Sequence, residues 1–440
     1  MTPPPAYGRL VASVGGIDRH EMPAVVASFL LFFCIMAGYF AVRPVRETVG
    51  TLIGADRLAD LWIWTAVASV VVIPVYGWLV ARFRRSVFLP WTYAAVAVSL
   101  AVVGLAFRRG TPGLRLSQFF WVFISVLNLF TISVFWSFVL ELFRSDQTKR
   151  LFGIIAAGGT AGALAGPLVT DLAVSRIGNS GILFLGAGLF VLAIVCQKAL
   201  IIVWKSNAPA GSASSDRGRD RAIGGSMWAG VPLVLQSPYI LGIALFVILI
   251  SAANTFLYFD QLRLVTDAFS DPAARTRFFA RLDWIVQSLT ILSQLFLTGF
   301  IASRFGLVTL LTMVPIATAF AFATLAVWNT LAVVVVSIVT RRFGQFAFVR
   351  PGREMLWSAL DKETKYKAKN FVDVPVYRAA DALFAQFETG MRTKGFGPQS
   401  IAIVGAVAAA VWAVNGWWLG RQHDAMALRE RADVSRSRAS

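Results

Sequence analysis

Histidine and cysteine are nearly missing from this sequence. In 440 residues there are two of each, His20 and His423, Cys34 and Cys196. Both cysteines fall inside long apolar runs, which excludes a disulfide framework and any metal-ligand spacing. They read as small buried side chains, and neither a metal nor a cofactor is expected. Both histidines lie outside those runs, so a histidine proton relay inside them is excluded. Charge is scarce too: 15% of residues are charged, against about 25% in an average soluble domain. There is no Walker-type phosphate loop, which disfavours an energy-hydrolysing pump, and no interfacial His or Cys cluster for a membrane enzyme, so no enzyme is expected. Nor do the apolar stretches alternate with polar residues as the strands of a membrane barrel do.

What the sequence does have is apolar length. Hydrophobic residues make up 57% of it, and mean hydropathy is +0.68. Twelve runs stand out, roughly 24–46, 58–81, 86–107, 116–142, 151–174, 179–204, 238–260, 281–302, 306–328, 330–349, 373–391 and 399–420. As helices of about 20 residues they are long enough to cross a ~30 Å hydrocarbon layer. The expectation is an all-α, polytopic membrane protein of twelve transmembrane helices. The first run exceeds a signal-peptide core and has no small-residue cleavage site behind it, so it reads as the first span.

A net charge of +18 would suit a nucleic-acid binder, but its distribution does not. Lysine and arginine gather before the first run, in the loops after the second, fourth, sixth, eighth and tenth runs, and in the tail. This is the positive-inside pattern, and it places both termini in the cytoplasm of a bacterial inner membrane. The expected partner of this charge is the lipid bilayer with its anionic headgroups, not nucleic acid.

One stretch interrupts the rhythm. "KSNAPAGSASSDRGRDRAIGG", residues 205–225, is small, polar and charged, and reads as a flexible linker. It divides the chain into a six-helix half over 1–204, a cytoplasmic linker over 205–235, a second six-helix half over 236–420 and a tail over 421–440. A 6+6 layout with a polar middle loop is that of major facilitator transporters, whose halves are pseudo-symmetric. The halves echo each other weakly. The first helix ends "GYFAVRPVRE" and the seventh "LYFDQLRLVTD", placing Arg43, Arg46 and Glu47 in one half where Asp260 and Arg263 stand in the other. "ARFRRS", 81–86, is similar to the basic loop of major facilitators between helices 2 and 3, without its aspartate. In "GIIAAGGTAGALAGP", Gly158, Gly162 and Gly166 recur every four residues and share one helix face, which suits close helix packing.

The charges within or beside the runs point to function, since a charge near the bilayer centre costs at least ~2.5 kcal/mol unless it has a partner or a cavity. Tyr39, Arg43 and Arg46 share a face, with Glu47 one turn from Arg43. Two readings stand: arginines snorkelling at the outer boundary, or an anion-binding wall held by Glu47 when empty. In "NFVDVPVYRAADALFAQFETG", Tyr377, Asp381 and Glu388 share a face beside Asp373 and Arg378. That face is expected to turn inward, with a structural Arg378–Asp381 pair as the plainer alternative. "RPGREMLWSALDKETKYKAKN", 350–370, is accounted for by positive-inside charge alone.

"RPGREMLWSALDKETKYKAKNFVDVPVYR" resembles the same region of the non-mitochondrial ATP/ADP antiporter family, the nucleotide transporters of plastids and intracellular bacteria, and of their free-living relatives. The residues that carry this resemblance are Arg353, Glu354, Met355, Lys365, Lys367, Lys369 and Asp373. "VRPVRETV" is similar to the family's helix-1 ending, with Arg46 and Glu47 in the basic and acidic places. "FWSFVLELFRSDQTKRLFG" resembles its helix 4–5 junction. The resemblance implies a major facilitator fold and an alternating-access transporter of a small anionic solute. That solute is a nucleotide or a phosphorylated or carboxylated metabolite. Helix 4 lacks the family's acidic residue, so ATP itself is not implied. The expected transport set is Arg43, Arg46, Glu47, Asp260, Arg263, Arg353, Glu354, Lys369, Asp373, Tyr377, Arg378 and Asp381. Asp260, Asp373 and Asp381 are expected to pair with Arg43, Arg46 and Arg378 in the empty state. Proton coupling, with protons as a further partner, would run through Asp260, Asp373, Asp381 and Glu388. The alternative is a proton-coupled permease for a peptide, sugar conjugate or drug.

Overall fold

Helices cover all twelve apolar runs in the computed structural model, which describes residues 21–82, 85–110, 112–143, 145–207 and 230–439. The linker beyond residue 207 and residues 83–84 of the basic loop lie outside the described residues. No strand occurs among those described. We label the helices α1 (Met22–Ile53), α2 (Ala55–Arg82), α3 (Arg85–Arg108) and α4 (Leu114–Leu142). The continuous Ser145–Asn207 stretch is broken at Gly178, giving α5 (145–177) and α6 (179–207). Then follow α7 (Pro238–Ala268), α8 (Pro272–Phe296), α9 (Thr298–Val327), α10 (Leu331–Gly344), α11 (Tyr377–Thr393) and α12 (Pro398–Ala439).

Local chemistry sets the ends. Ser237 caps α7 by accepting from the Ile240 amide, with Pro238 in the first turn, where no amide donor is required. Thr330 caps α10 in the same way at Val333. The Asp271 carboxylate accepts from the amides of Ala273 and Ala274 and starts α8 nine residues before the apolar run. Gly178 (φ 66°) and Gly306 (φ 76°) sit in the left-handed region, where a side chain is strained, and they break the helices close to where the apolar runs divide. Two departures from the expected segmentation follow. Residues 230–236, all but the last assigned to the linker, form a short helix, and the tail continues α12 as far as Ala439.

Eight helical stretches among the described residues are long and apolar enough to cross a membrane, one of them the 55-residue Arg150–Trp204 that Gly178 divides. α2, α8 and α11 are not among them, and α11 is only 17 residues long. Many large apolar side chains, among them Trp91, Leu172 and Phe320, face outward. That surface suits lipid rather than water, and the chain is a multi-pass membrane protein.

The chain forms two compact units: one of Met1–Val49, Val71–Ala222 and Asp271–Trp284, the other of Gly50–Val70, Ile223–Ser270 and Ile285–Ser440. In the first, α1 lies against the glycine face of α5. A Cβ on Gly158 would stand 2.4 Å from the Phe29 carbonyl oxygen, one on Gly162 2.4 Å from that of Phe33, and one on Gly166 2.6 Å from that of Ala37. Only hydrogen at these positions lets the two backbones approach so closely. In the second unit α9 packs on α12, where Gly416 sits against the Leu311 carbonyl.

Candidate functional site

Charged side chains on apolar helices need partners, and in each unit they find them. In the first, the stretch Arg43-Pro44-Val45-Arg46-Glu47 lies inside α1, which runs on past the expected end of the first helix to Ile53. Arg43 Nη1 donates to both carboxylate oxygens of Asp283, each at 3.2 Å. Glu47 lies farther from Arg43, at 3.9 Å, than from Arg46, at 3.3 Å. Glu47 is therefore not the main holder of Arg43, as its one-turn spacing suggested: Asp283 approaches head-on, while the i,i+4 geometry leaves the Glu47 contact long. Arg46 stacks over the Trp121 ring, 4.7 Å from its centroid, a cation–π arrangement. Both arginines are thus engaged by side chains of the same unit. Asp283 itself is 2% exposed.

The same segment of α8 makes a second attachment. Asp171 on α5 accepts from Arg277 Nε (3.2 Å), from Arg281 Nε and Nη2 (3.3 Å each) and from the Trp284 indole (3.0 Å). Beside it, the Thr48 and Thr276 hydroxyls are 2.6 Å apart. Side-chain bonds thus fasten residues 271–284 to α1 and α5. Sequence reasoning missed Asp171, Arg277, Arg281 and Asp283. The available signal was the unusual polarity of "RTRFFARLDW" ahead of an apolar run.

In the second unit α11 turns its polar face onto α7. Asp381 accepts from the Ser251 hydroxyl and pairs with Arg378 at 3.7 Å. Glu388, 1% exposed, takes Arg263 (Nη2 at 3.0 Å) and Arg392 (Nε at 3.3 Å). Asp260 accepts from the Asn329 amide at 2.8 Å and lies 3.9 Å from Arg392. Arg341 donates to Asn254 and Gln345. Arg353 pairs with Asp373 at 3.3 Å, and Lys369 with Glu354. Of the three aspartates expected to hold Arg43, Arg46 and Arg378, only Asp381 does so, at Arg378. Asp260 and Asp373 instead bond to partners that helix geometry brings nearer, Asn329 with Arg392, and Arg353. Tyr377, on the same face, lines a cavity with Asp373 and Arg353.

The glycines at 158, 162 and 166 add no side chain to the site; their role is the close approach already described, and the Gly166 carbonyl accepts from the Thr170 hydroxyl at 3.2 Å. Among the described residues no group of His, Cys, Asp and Glu could hold a metal ion.

No protein-family model matches the sequence. It is similar to ADP,ATP carrier protein 1 of Chlamydia trachomatis, 23% identical over 439 residues, covering 84% of this chain and 82% of the relative. It is also similar to ADP,ATP carrier protein 1 of Chlamydia pneumoniae, 21% identical, covering 98% and 97%. Among solved structures it resembles the nucleoside transporter NupG (TM-score 0.64, 15% identity, 91% of this chain and 99% of that one). It resembles equally a bacterial homologue of the iron transporter ferroportin (0.65, 12%, 91% and 99%). At these identities the structural likeness establishes the fold alone.

Proposed function

We propose that this chain, a distant relative of the ADP,ATP carrier proteins with the major facilitator fold, is a secondary active transporter of a small anionic solute. One observation carries the reading. Two arginines, Arg43 and Arg46, are held inside an apolar unit on the first helix, their charge balanced by the carboxylates Asp283 and Glu47. Guanidinium forks match phosphate and carboxylate geometry. A substrate's anionic group can replace these carboxylates at the guanidinium forks, so the arginines stay paired throughout. Alternating access between the two halves of the chain supplies the transport step.

The substrate class we favour is nucleotides and phosphorylated or carboxylated metabolites, in keeping with the relatives' names. We place the protein in the bacterial inner membrane with both termini cytoplasmic, from the distribution of its basic loops. Protons are the coupling ion we favour, exchanged at carboxylates among Asp260, Asp373, Asp381 and Glu388, of which Asp381 and Glu388 are buried.

A thermal-shift screen of the purified protein tests this reading, with nucleotides, sugar phosphates, dicarboxylates, peptides and neutral sugars. A specific ligand at a hundred times its dissociation constant stabilises the folded state by about 2.7 kcal/mol. Stabilisation by anions supports the proposal. Stabilisation by peptides or neutral sugars alone replaces it with the permease alternative.

A further inference from the structure

Two π-helical turns occur among the described residues, Gln345–Val349 and Val372–Val376. Both border one cavity of about 180 Å³ that lies wholly within the second unit. Such turns are rare and are found mostly where a helix has been adapted to a function. Each coincides with a proline that removes a backbone donor, Pro351 just after the first turn and Pro375 within the second. The carbonyls loosened near the first turn are taken by side chains: Thr298 donates to the Ala347 oxygen at 2.9 Å and Gln294 to the Phe346 oxygen at 3.3 Å. The distortion is therefore supported from outside the helix, not left to fray.

The two turns bring four donors to one cavity. Arg350 and Arg353 follow the first turn three residues apart and line the same wall. Arg353 is held by Asp373, whereas the Arg350 side chain makes no hydrogen bond or close ion pair among the described residues and acts on Asp373 only from a distance. The Gln345 amide oxygen already accepts from Arg341, at 2.7 Å, so the donor end of that amide remains for the cavity. Tyr377 adds a hydroxyl, and Phe346 an apolar side.

From this we infer that the cavity is a phosphate-binding pocket, with Arg350 as its primary anion contact and Asp373 as an internal anion that occupies Arg353 until phosphate arrives. Donors that converge from several directions suit a tetrahedral phosphate better than a planar carboxylate. The volume is below the roughly 300 Å³ at which whole-ligand pockets begin, so the cavity seats the phosphate group and leaves the rest of the solute outside. The inference deepens the transport proposal and rests on it for the identity of the solute; the pocket itself is tested without transport.

The test is calorimetric binding of phenyl phosphate to full-length protein in neutral detergent, with phenol as the uncharged control. Wild type is expected to bind phenyl phosphate and not phenol. Arg350 is exposed and holds no other side chain, so Arg350→Gln should fold; loss of its charge-assisted contact should weaken binding about tenfold or more. Arg350→Lys, which keeps the charge and loses the fork, should fall between them. Asp373→Asn should bind phenyl phosphate more tightly than wild type, which a merely structural aspartate would not cause. Wild-type affinity in Arg350→Gln overturns the pocket, as does the lack of any binding to wild type. Displacement of a bound fluorescent lipid by phosphatidylglycerol, with none by phenyl phosphate, reassigns the pocket to lipid headgroups and overturns it as a solute site. Phosphate binding that needs Arg350 in a protein that carries no anion in proteoliposomes leaves the pocket standing and sinks the transport proposal instead.

Discussion

Arg43, on the first helix of the chain, and Asp283, 240 residues later, are joined by two hydrogen bonds of 3.2 Å from a single guanidinium nitrogen. The pair explains why arginines close an apolar run. They meet carboxylates of the first unit, Asp283 and Glu47.

Asp283→Asn should therefore have two effects of opposite sign. Stability should fall, by less than the ~3–5 kcal/mol expected for breaking a fully buried pair, because Arg43 keeps Glu47 and partial access to water. Affinity for an anionic ligand should rise, because the competing carboxylate is gone. Thermal unfolding and calorimetry on the same preparation check both; a fall in stability with weakened anion binding would contradict the exchange role given to Asp283.

Gly162→Ala should destabilise, because its Cβ would stand 2.4 Å from the Phe33 carbonyl oxygen and the α1 and α5 backbones would have to separate. Overpacking of this kind costs roughly 1–3 kcal/mol. Gly188 on α6 has nothing within 4 Å of an added Cβ, so Gly188→Ala should lose nothing. Melting temperatures of the two variants in one detergent decide it, and equal values would mean the glycine face does not set the packing.

Glu388→Gln should be more damaging than Asp260→Asn. Glu388 balances both Arg263 and Arg392, while Asp260 is bonded to a neutral amide and lies 3.9 Å from Arg392. Neutralising Glu388 leaves two arginines facing each other with a single weaker partner. Comparison of thermal unfolding for the two variants checks the order. For transport, we expect pH-gradient-driven uptake to be lost in at least one of the amide variants of Asp260, Asp373, Asp381 and Glu388; retention in all four rejects carboxylate coupling.

The topology makes a prediction that needs no ligand. Reporter fusions at Ala213 and Ala273 should report opposite sides of the membrane, since α7 is a single apolar crossing between them. The same side for both would require α7 not to span.

Much of the fold was legible in the sequence because helix-length apolar runs are a local signal. Gly158, Gly162 and Gly166 revealed a packing face for the same reason: a four-residue spacing is enough to define one side of a helix. The ion-pair partners were not legible. Asp283 and Asp171 reach Arg43, Arg277 and Arg281 only through tertiary packing, and the polar start of α8 does not register as an apolar run. Likewise the i,i+4 spacing of Arg43 and Glu47 was visible, whereas the better-aligned carboxylate came from a distant helix. Neither π turn was read from the sequence, although Pro351 and Pro375 stand at them, and nothing local says that both turns border one cavity.

The central claim is that Arg43 and Arg46 contact the transported anion. It is tested most directly by the affinity of well-folded Arg43→Ala, Arg46→Ala and Arg46→Lys proteins for the anion that most stabilises wild type in the thermal-shift screen. Loss of one charge-assisted contact, roughly 1.5–3 kcal/mol, should weaken binding about ten- to a hundredfold in each alanine variant, with Arg46→Lys between Arg46→Ala and wild type. Wild-type affinity in all three proteins would contradict the claim and leave both arginines as structural charges.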